Sequence, residues 1–187
     1  MKYPASHKQE IRHKLLDSAC MQVRDMGLDK VSVKSVMESN GMTIGGFYSH
    51  FSSKEDLLNA AIEHAFKVTL LEHYDTIEEL DDDAWNKKVI SRYLSKPHLD
   101  IVSLSCPAAT LMSDVSRAKD DVRATFEKKL KQLLKRFEPR VGKGKSIALF
   151  ALLSGGLLMA RAAEDKNYSD KILKECIKGA NQLISDN

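Results

Sequence analysis

The chain has 187 residues, enough to bury a proper core, and a composition of 43% hydrophobic and 29% charged residues with 9 Gly and 4 Pro. That excludes disordered and fibrous classes and favours helix over sheet. The net charge of +3 is unevenly placed: residues 1–54 hold 8 Lys/Arg against 5 Asp/Glu, whereas residues 55–187 hold 21 of each. The surplus, with His7, His13 and His50 beside it, suggests an N-terminal module for a polyanionic partner and a neutral remainder. Three widely spaced cysteines, Cys20, Cys106 and Cys176, imply neither a disulfide framework nor a cysteine zinc site. The first residues carry no apolar stretch of the secretory kind, so a reducing cytoplasm is the expected location.

In chain order, Ile11, Leu15, Ala19, Val23 and Met26 recur every three or four positions and predict an amphipathic helix over 6–26, ended by Gly27. A short helix over 32–39 follows, with Ser32 as its N-cap and Val33, Val36 and Met37 on one face. Asn40-Gly41 reads as a turn. Thr43 is placed to cap a very short helix over 44–50, and Ser53, with Asp56 three residues on, resembles a capping box. The next helix carries Leu57, Leu58, Ala61, Ile62, Ala65, Phe66 and Leu70 to about His73, before an acidic loop over 78–83. Further helices are expected over 84–95, 107–115, 117–137, 145–164 and 169–185. Pro97, Pro107 and Pro139 mark boundaries, because proline disrupts a helix interior. The sum is about nine helices and no sheet.

The two short helices around Asn40-Gly41-Met42-Thr43 have the length of a helix-turn-helix, whose second helix enters the major groove. Gly45 and Gly46 each cost about 1 kcal/mol relative to Ala inside a helix. That cost is tolerable where backbone must approach another surface closely, as it must in a groove. Thr43, Tyr48, Ser49 and His50 offer groups suited to phosphate oxygens or base edges, and Lys54 adds a cation.

The run 31–58, and above all Tyr48-x-x-Phe51 followed by Ser53-Lys54-Glu55, resembles the DNA-binding signature of the TetR family. The resemblance covers about residues 6–60. It implies an all-α chain with a three-helix helix-turn-helix domain (1–53) and a larger helical ligand-binding and dimerisation domain (54–187). The function it implies is regulation of transcription, usually repression relieved by a small-molecule inducer. By position in the motif, Thr43, Gly45, Gly46, Tyr48 and His50 would face double-stranded operator DNA, Ser32, Lys34 and Lys54 would meet phosphates, and Phe47 and Phe51 would pack.

Elsewhere the residues speak less clearly. Gly142-Lys-Gly-Lys-Ser146 lacks the earlier glycine and the strand of a phosphate-binding loop, and no catalytic motif, metal-ligand pattern or cofactor fingerprint appears. An enzyme is therefore not expected, and the competing reading is a helical ligand-binding or adaptor protein without DNA function. Trp85, Tyr93, Met112 and Phe126, with His64, His98 and Met159, are candidates to line a ligand pocket. Cys106, next to Pro107 at a helix start, is a candidate thiol sensor, since a helix N-terminus stabilises thiolate. The run 147–160 is shorter than a membrane span and apolar around most of its circumference, so it is expected, with Ile172, Leu173, Ile177 and Leu183, to form a homodimer interface.

Overall fold

A computed structural model describes residues 5–185, all of whose regular elements are helical. The N-terminal part is α1 (Ala5–Met26), α2 (Val33–Ser39) and a 3-10 helix at Ile44–Ser49. The remainder is α3 (Lys54–Thr69), α4 (Asp82–Tyr93), α5 (Lys96–Asp100), α6 (Pro107–Val115), α7 (Asp120–Val141), α8 (Lys143–Ala162) and α9 (Lys166–Ser185).

Of the apolar face expected on α1, Leu15, Ala19 and Val23 are fully buried and meet Leu57, Ala61, Ile62 and Ala65 of α3 in one continuous core, with Ile11 partly buried against it, whereas Met26 at the helix end is 42% exposed. Ser32 caps α2 by accepting the Ser35 amide at 2.9 Å, while the Ser35 hydroxyl accepts the Ser32 amide in return. Ser53 accepts the Asp56 amide at 3.1 Å, but the Asp56 carboxylate reaches back one residue further than a capping box requires, to the amide and hydroxyl of Ser52. The start of α3 is thus held from two directions.

Several boundaries differ from those expected, each for a physical reason. The second helix of the helix-turn-helix is a 3-10 helix, and Thr43 makes no side-chain capping bond to it. The acidic stretch is not all loop: Asp81 caps α4 through the Ala84 amide at 2.8 Å, and Asp82 and Asp83 complement the helix dipole in its first turn. Pro97 opens a helix of its own, α5, rather than only ending the previous one. Pro139 lies inside α7, which continues to Val141 and stops where Gly142 turns to φ +82°. Proline removes one backbone bond, and near a helix end that loss is small against the burial of Phe137 two residues earlier.

The apolar run 147–160 sits within the 20 residues of α8, which by length and composition is the one described helix apolar enough to cross a membrane, a test that core helices also pass. Leu149, Phe150, Leu153 and Leu157 are buried in the core. On the opposite face Ile147 (57% exposed), Leu158 and Met159 (59% exposed) meet solvent in the single chain, with the backbone of Gly155 open between them.

Candidate nucleic-acid interface and ligand cavity

The 3-10 helix at Ile44–Ser49 is pinned from inside and bare outside. Phe47 is fully buried, Phe51 is 2% exposed, and their rings stack with centroids 5.5 Å apart. Burying two such rings stabilises the turn by about 3–6 kcal/mol. Between them Tyr48 is 72% exposed, its ring edge-on to Phe47. Apolar packing on either side therefore holds one aromatic out in solvent, a costly placement unless another surface covers it. Thr43, which makes no side-chain cap bond, is exposed as well.

The two glycines part company. A Cβ on Gly45 would meet open space, whereas one on Gly46 would point at the Met37 and Met42 side chains at 3.5 and 3.7 Å. Gly45 is thus the residue over which a second surface can come close, whereas the Cβ direction of Gly46 points toward the Met37 and Met42 side chains. His50 also departs from expectation. It is half-buried, with an enclosed Nδ1 that lacks a partner among the described residues, and its carbonyl accepts from the Arg12 guanidinium. Burial, then the nearby Lys8 and Arg12 charges, lowers its pKa below the ordinary histidine value. The Arg12 guanidinium, from α1, also stands 4.2 Å over the Phe51 ring.

Ser32 is exposed but its hydroxyl is engaged in the α2 cap. Lys34, on the exposed face of α2, is paired only loosely with Glu38 at 3.8 Å. Lys54 reaches the Asp29 carbonyl at 3.4 Å, which leaves its remaining protons available. These cations border the exposed turn.

The second site lies in the larger helical part, where α3 ends. Past Thr69 the chain widens into a π-helical turn, Leu70–Tyr74, which rolls Tyr74 into the interior. Together with α4, α5 and the start of α6, this turn encloses a cavity of about 500 Å³ lined by Thr69, Tyr74, Val89, Tyr93, His98 and Cys106, with Glu72, His73 and Arg92 also in its wall. No simple helix pattern signals the widened turn.

Of the expected pocket residues, Tyr93, His98 and Cys106 line the cavity, and Trp85, Met112 and Phe126 do not. Trp85 is fully buried between Phe137, Tyr74 and the Arg140 guanidinium, Phe126 packs edge-on to Phe66, and Met112 lies against the core from α6. Met159 is exposed on α8, and His64 lies between α1 and α3. All were apolar or aromatic residues on helix faces, and which face meets a cavity is settled by packing alone.

His98 is the polar centre of this wall. Its Nδ1 donates to the Tyr93 carbonyl at 2.6 Å and its Nε2 accepts the Cys106 amide at 3.0 Å, an arrangement only the neutral ring can make. Burial pushes its pKa down to about 4, with the neighbouring Arg161 charge acting in the same direction. Cys106 does occupy the N-cap of α6, but it is 4% exposed, and burial drives its thiol up, outweighing the helix terminus. The expected thiolate activation is therefore overturned by desolvation.

The two sites are joined through α1 and α3. Arg24 of α1, 8% exposed, donates to the Ala65 carbonyl at 3.2 Å and to the Ser103 carbonyl at 2.9 Å, tying α3 to the short 3-10 helix Val102–Leu104 beside the cavity. Just beyond α1, the Leu28 amide donates to the Asp114 carboxylate of α6 at 2.9 Å.

Residues 15–61 match the family model of bacterial regulatory proteins, tetR family. The uncharacterised HTH-type transcriptional regulator YvdT of Bacillus subtilis is 30% identical over 95 residues, 49% of this chain and 48% of that protein, so the chain spans about half of that relative's length. A second regulator of the same kind from B. subtilis, YfiR, is 24% identical over 149 residues, 76% of this chain and 69% of that one. Among solved structures, a transcriptional regulator from Saccharomonospora viridis in complex with choline superposes with a TM-score of 0.75 at 14% identity, over 96% of this chain and 97% of that one. Likeness at that identity establishes the fold.

Proposed function

Because residues 15–61 match the family model of bacterial regulatory proteins, tetR family, we propose that the chain is a cytoplasmic, homodimeric repressor of that family that binds operator DNA and releases it on binding a small molecule. In this reading, residues 1–53 read DNA through Thr43, Gly45 and Tyr48 against base edges and backbone, with Lys34 and Lys54 on phosphates. Residues 54–187 hold the ligand and the partner subunit. The observation that carries it is Tyr48, held in solvent by a buried aromatic on either side. The N-terminal charge surplus supports it too.

The cavity accounts for induction. Its wall contains the π-helical turn at the far end of α3, and the near end of α3 is the cap that follows the DNA-binding turn. A ligand that prefers a shifted turn therefore biases the angle of α3 and the spacing of the two DNA-binding turns in a dimer. Tyr74, Tyr93, Val89 and neutral His98 offer apolar surface with a few hydrogen-bonding groups, while Glu72 and Arg92 bring charge to the same wall, a lining that suits a partly apolar ligand carrying polar or charged groups.

The test is a fluorescence-polarisation titration against DNA flanking the protein's own gene. Tyr48→Ala should weaken binding at least tenfold, and Lys54→Ala should lower affinity about equally across sequences and flatten the salt slope by about one unit. Unchanged affinity and salt dependence in both variants would remove DNA binding from this segment.

A further inference from the structure

His13, Asp17 and His64 lie together without serving either site described above. His13 and Asp17 are one helical turn apart on the exposed face of α1, and His64 meets them from α3. His64 is 8% exposed, and its Nε2 shares a 2.6 Å hydrogen bond with Asp17 Oδ1. The His13 ring stands edge-on to it, with centroids 4.7 Å apart. One donor atom from each residue lies within 4.8 Å of the other two.

We propose that these three residues bind a divalent transition-metal ion of the zinc, cobalt or nickel class, which clamps α1 to α3. Metal–ligand bonds of about 2.0–2.2 Å in tetrahedral geometry set donors about 3.4 Å apart. Separations of up to 4.8 Å must therefore close by at most about 1.4 Å, and the 2.6 Å Asp17–His64 pair must open by about 0.8 Å. That is within reach of side-chain rotation, because His13 is exposed and Asp17 half-exposed, while burial keeps His64 fixed as the anchor. The ion takes the place of the hydrogen between Asp17 Oδ1 and His64 Nε2, and the ligating imidazole keeps its one ring proton on Nδ1.

The donor set selects the class of metal. Two imidazoles and one carboxylate suit zinc, cobalt or nickel; calcium and magnesium need more oxygen donors, and copper(I) favours sulfur. The fourth position falls on the solvent side and is left to water. Since the ligands come from two helices, occupancy favours the state in which α1 and α3 are packed and raises thermal stability. The site stands independently of the DNA-binding reading.

The experiment is a titration of the tag-free full chain with Co²⁺, following its visible d–d absorption, and with Zn²⁺, following Tm. The wild type should bind one Co²⁺ per chain with tetrahedral absorption, and Zn²⁺ should raise its Tm. His13→Ala, whose side chain is exposed and outside the core, should keep the helical circular dichroism of the parent and bind Co²⁺ about 100-fold more weakly. Asp17→Asn should behave alike. The proposal is overturned if the wild type shows no Co²⁺ binding at micromolar concentration, or if both variants bind Co²⁺ like the parent.

Discussion

Gly27 is where the DNA-binding part docks on the larger helical part, and its replacement by alanine should reveal how tightly. Gly27 adopts φ +86°, a region that costs a residue with a side chain about 1 kcal/mol. A Cβ there would also stand 2.4 Å from Asp114 Oδ2. That carboxylate cannot swing away freely, because it accepts the Leu28 amide at 2.9 Å and pairs with Arg117 at 3.0 Å. Displacing it sacrifices a charge-assisted bond to a part-buried amide, about 2 kcal/mol. Gly27→Ala should then cost about 3 kcal/mol, and Asp114→Ala about 2 kcal/mol for the same bond. Since the double variant loses that bond only once, it should also cost about 3 kcal/mol, a coupling of about 2 kcal/mol. Urea unfolding of the four proteins, monitored by circular dichroism, measures the cycle. At this size, the 3 kcal/mol corresponds to a fall in Tm of about 6–12 °C. Strictly additive costs, about 5 kcal/mol in the double variant, would refute the claim that Asp114 is what a Cβ at Gly27 strikes.

Three more outcomes follow from the geometry. Gly45→Leu should leave Tm and oligomeric state unchanged, since its side chain enters open space, yet weaken DNA binding at least tenfold by polarisation; Gly46→Leu, which meets Met37 and Met42, should instead lower Tm. For His98, held in the folded chain at about 4 against an ordinary 6.5, the unfolded chain takes up a proton in that window that the folded chain refuses, so stability falls as pH drops from about 6.5 to about 4 and is insensitive to His98 above it. The loss amounts to about 3 kcal/mol, and His98→Gln should flatten the stability profile by that much in denaturant titrations at successive pH values; superimposable profiles would show that His98 is not held neutral. Met159→Glu, on the exposed face of α8, should turn a dimer into a monomer by light scattering, and an unchanged mass would exclude that face from the interface.

What the sequence by itself determined about this protein is what neighbouring residues decide among themselves. The caps at Ser32 and Ser53 are bonds between residues three apart, and the helical faces of α1 and α3 follow from apolar spacing. Phe47 and Phe51 pack while Tyr48 stays out because the turn between them is short. Tertiary packing decided the rest. Which glycine faces outward, the enclosure of His50 beside Arg12 and the neutrality of His98 depend on partners from other elements. The π-helical turn that opens the cavity departs from the spacing of an α-helix, and Pro139 remains inside α7 despite its local preference. Cys106 received the helix terminus its sequence promised, but burial, a property of the whole core, reversed the effect on its thiol. His13 and Asp17 are one turn apart on a helix, and only the docking of α3 brings His64 to them, because packing alone can join side chains 47 residues apart in the chain.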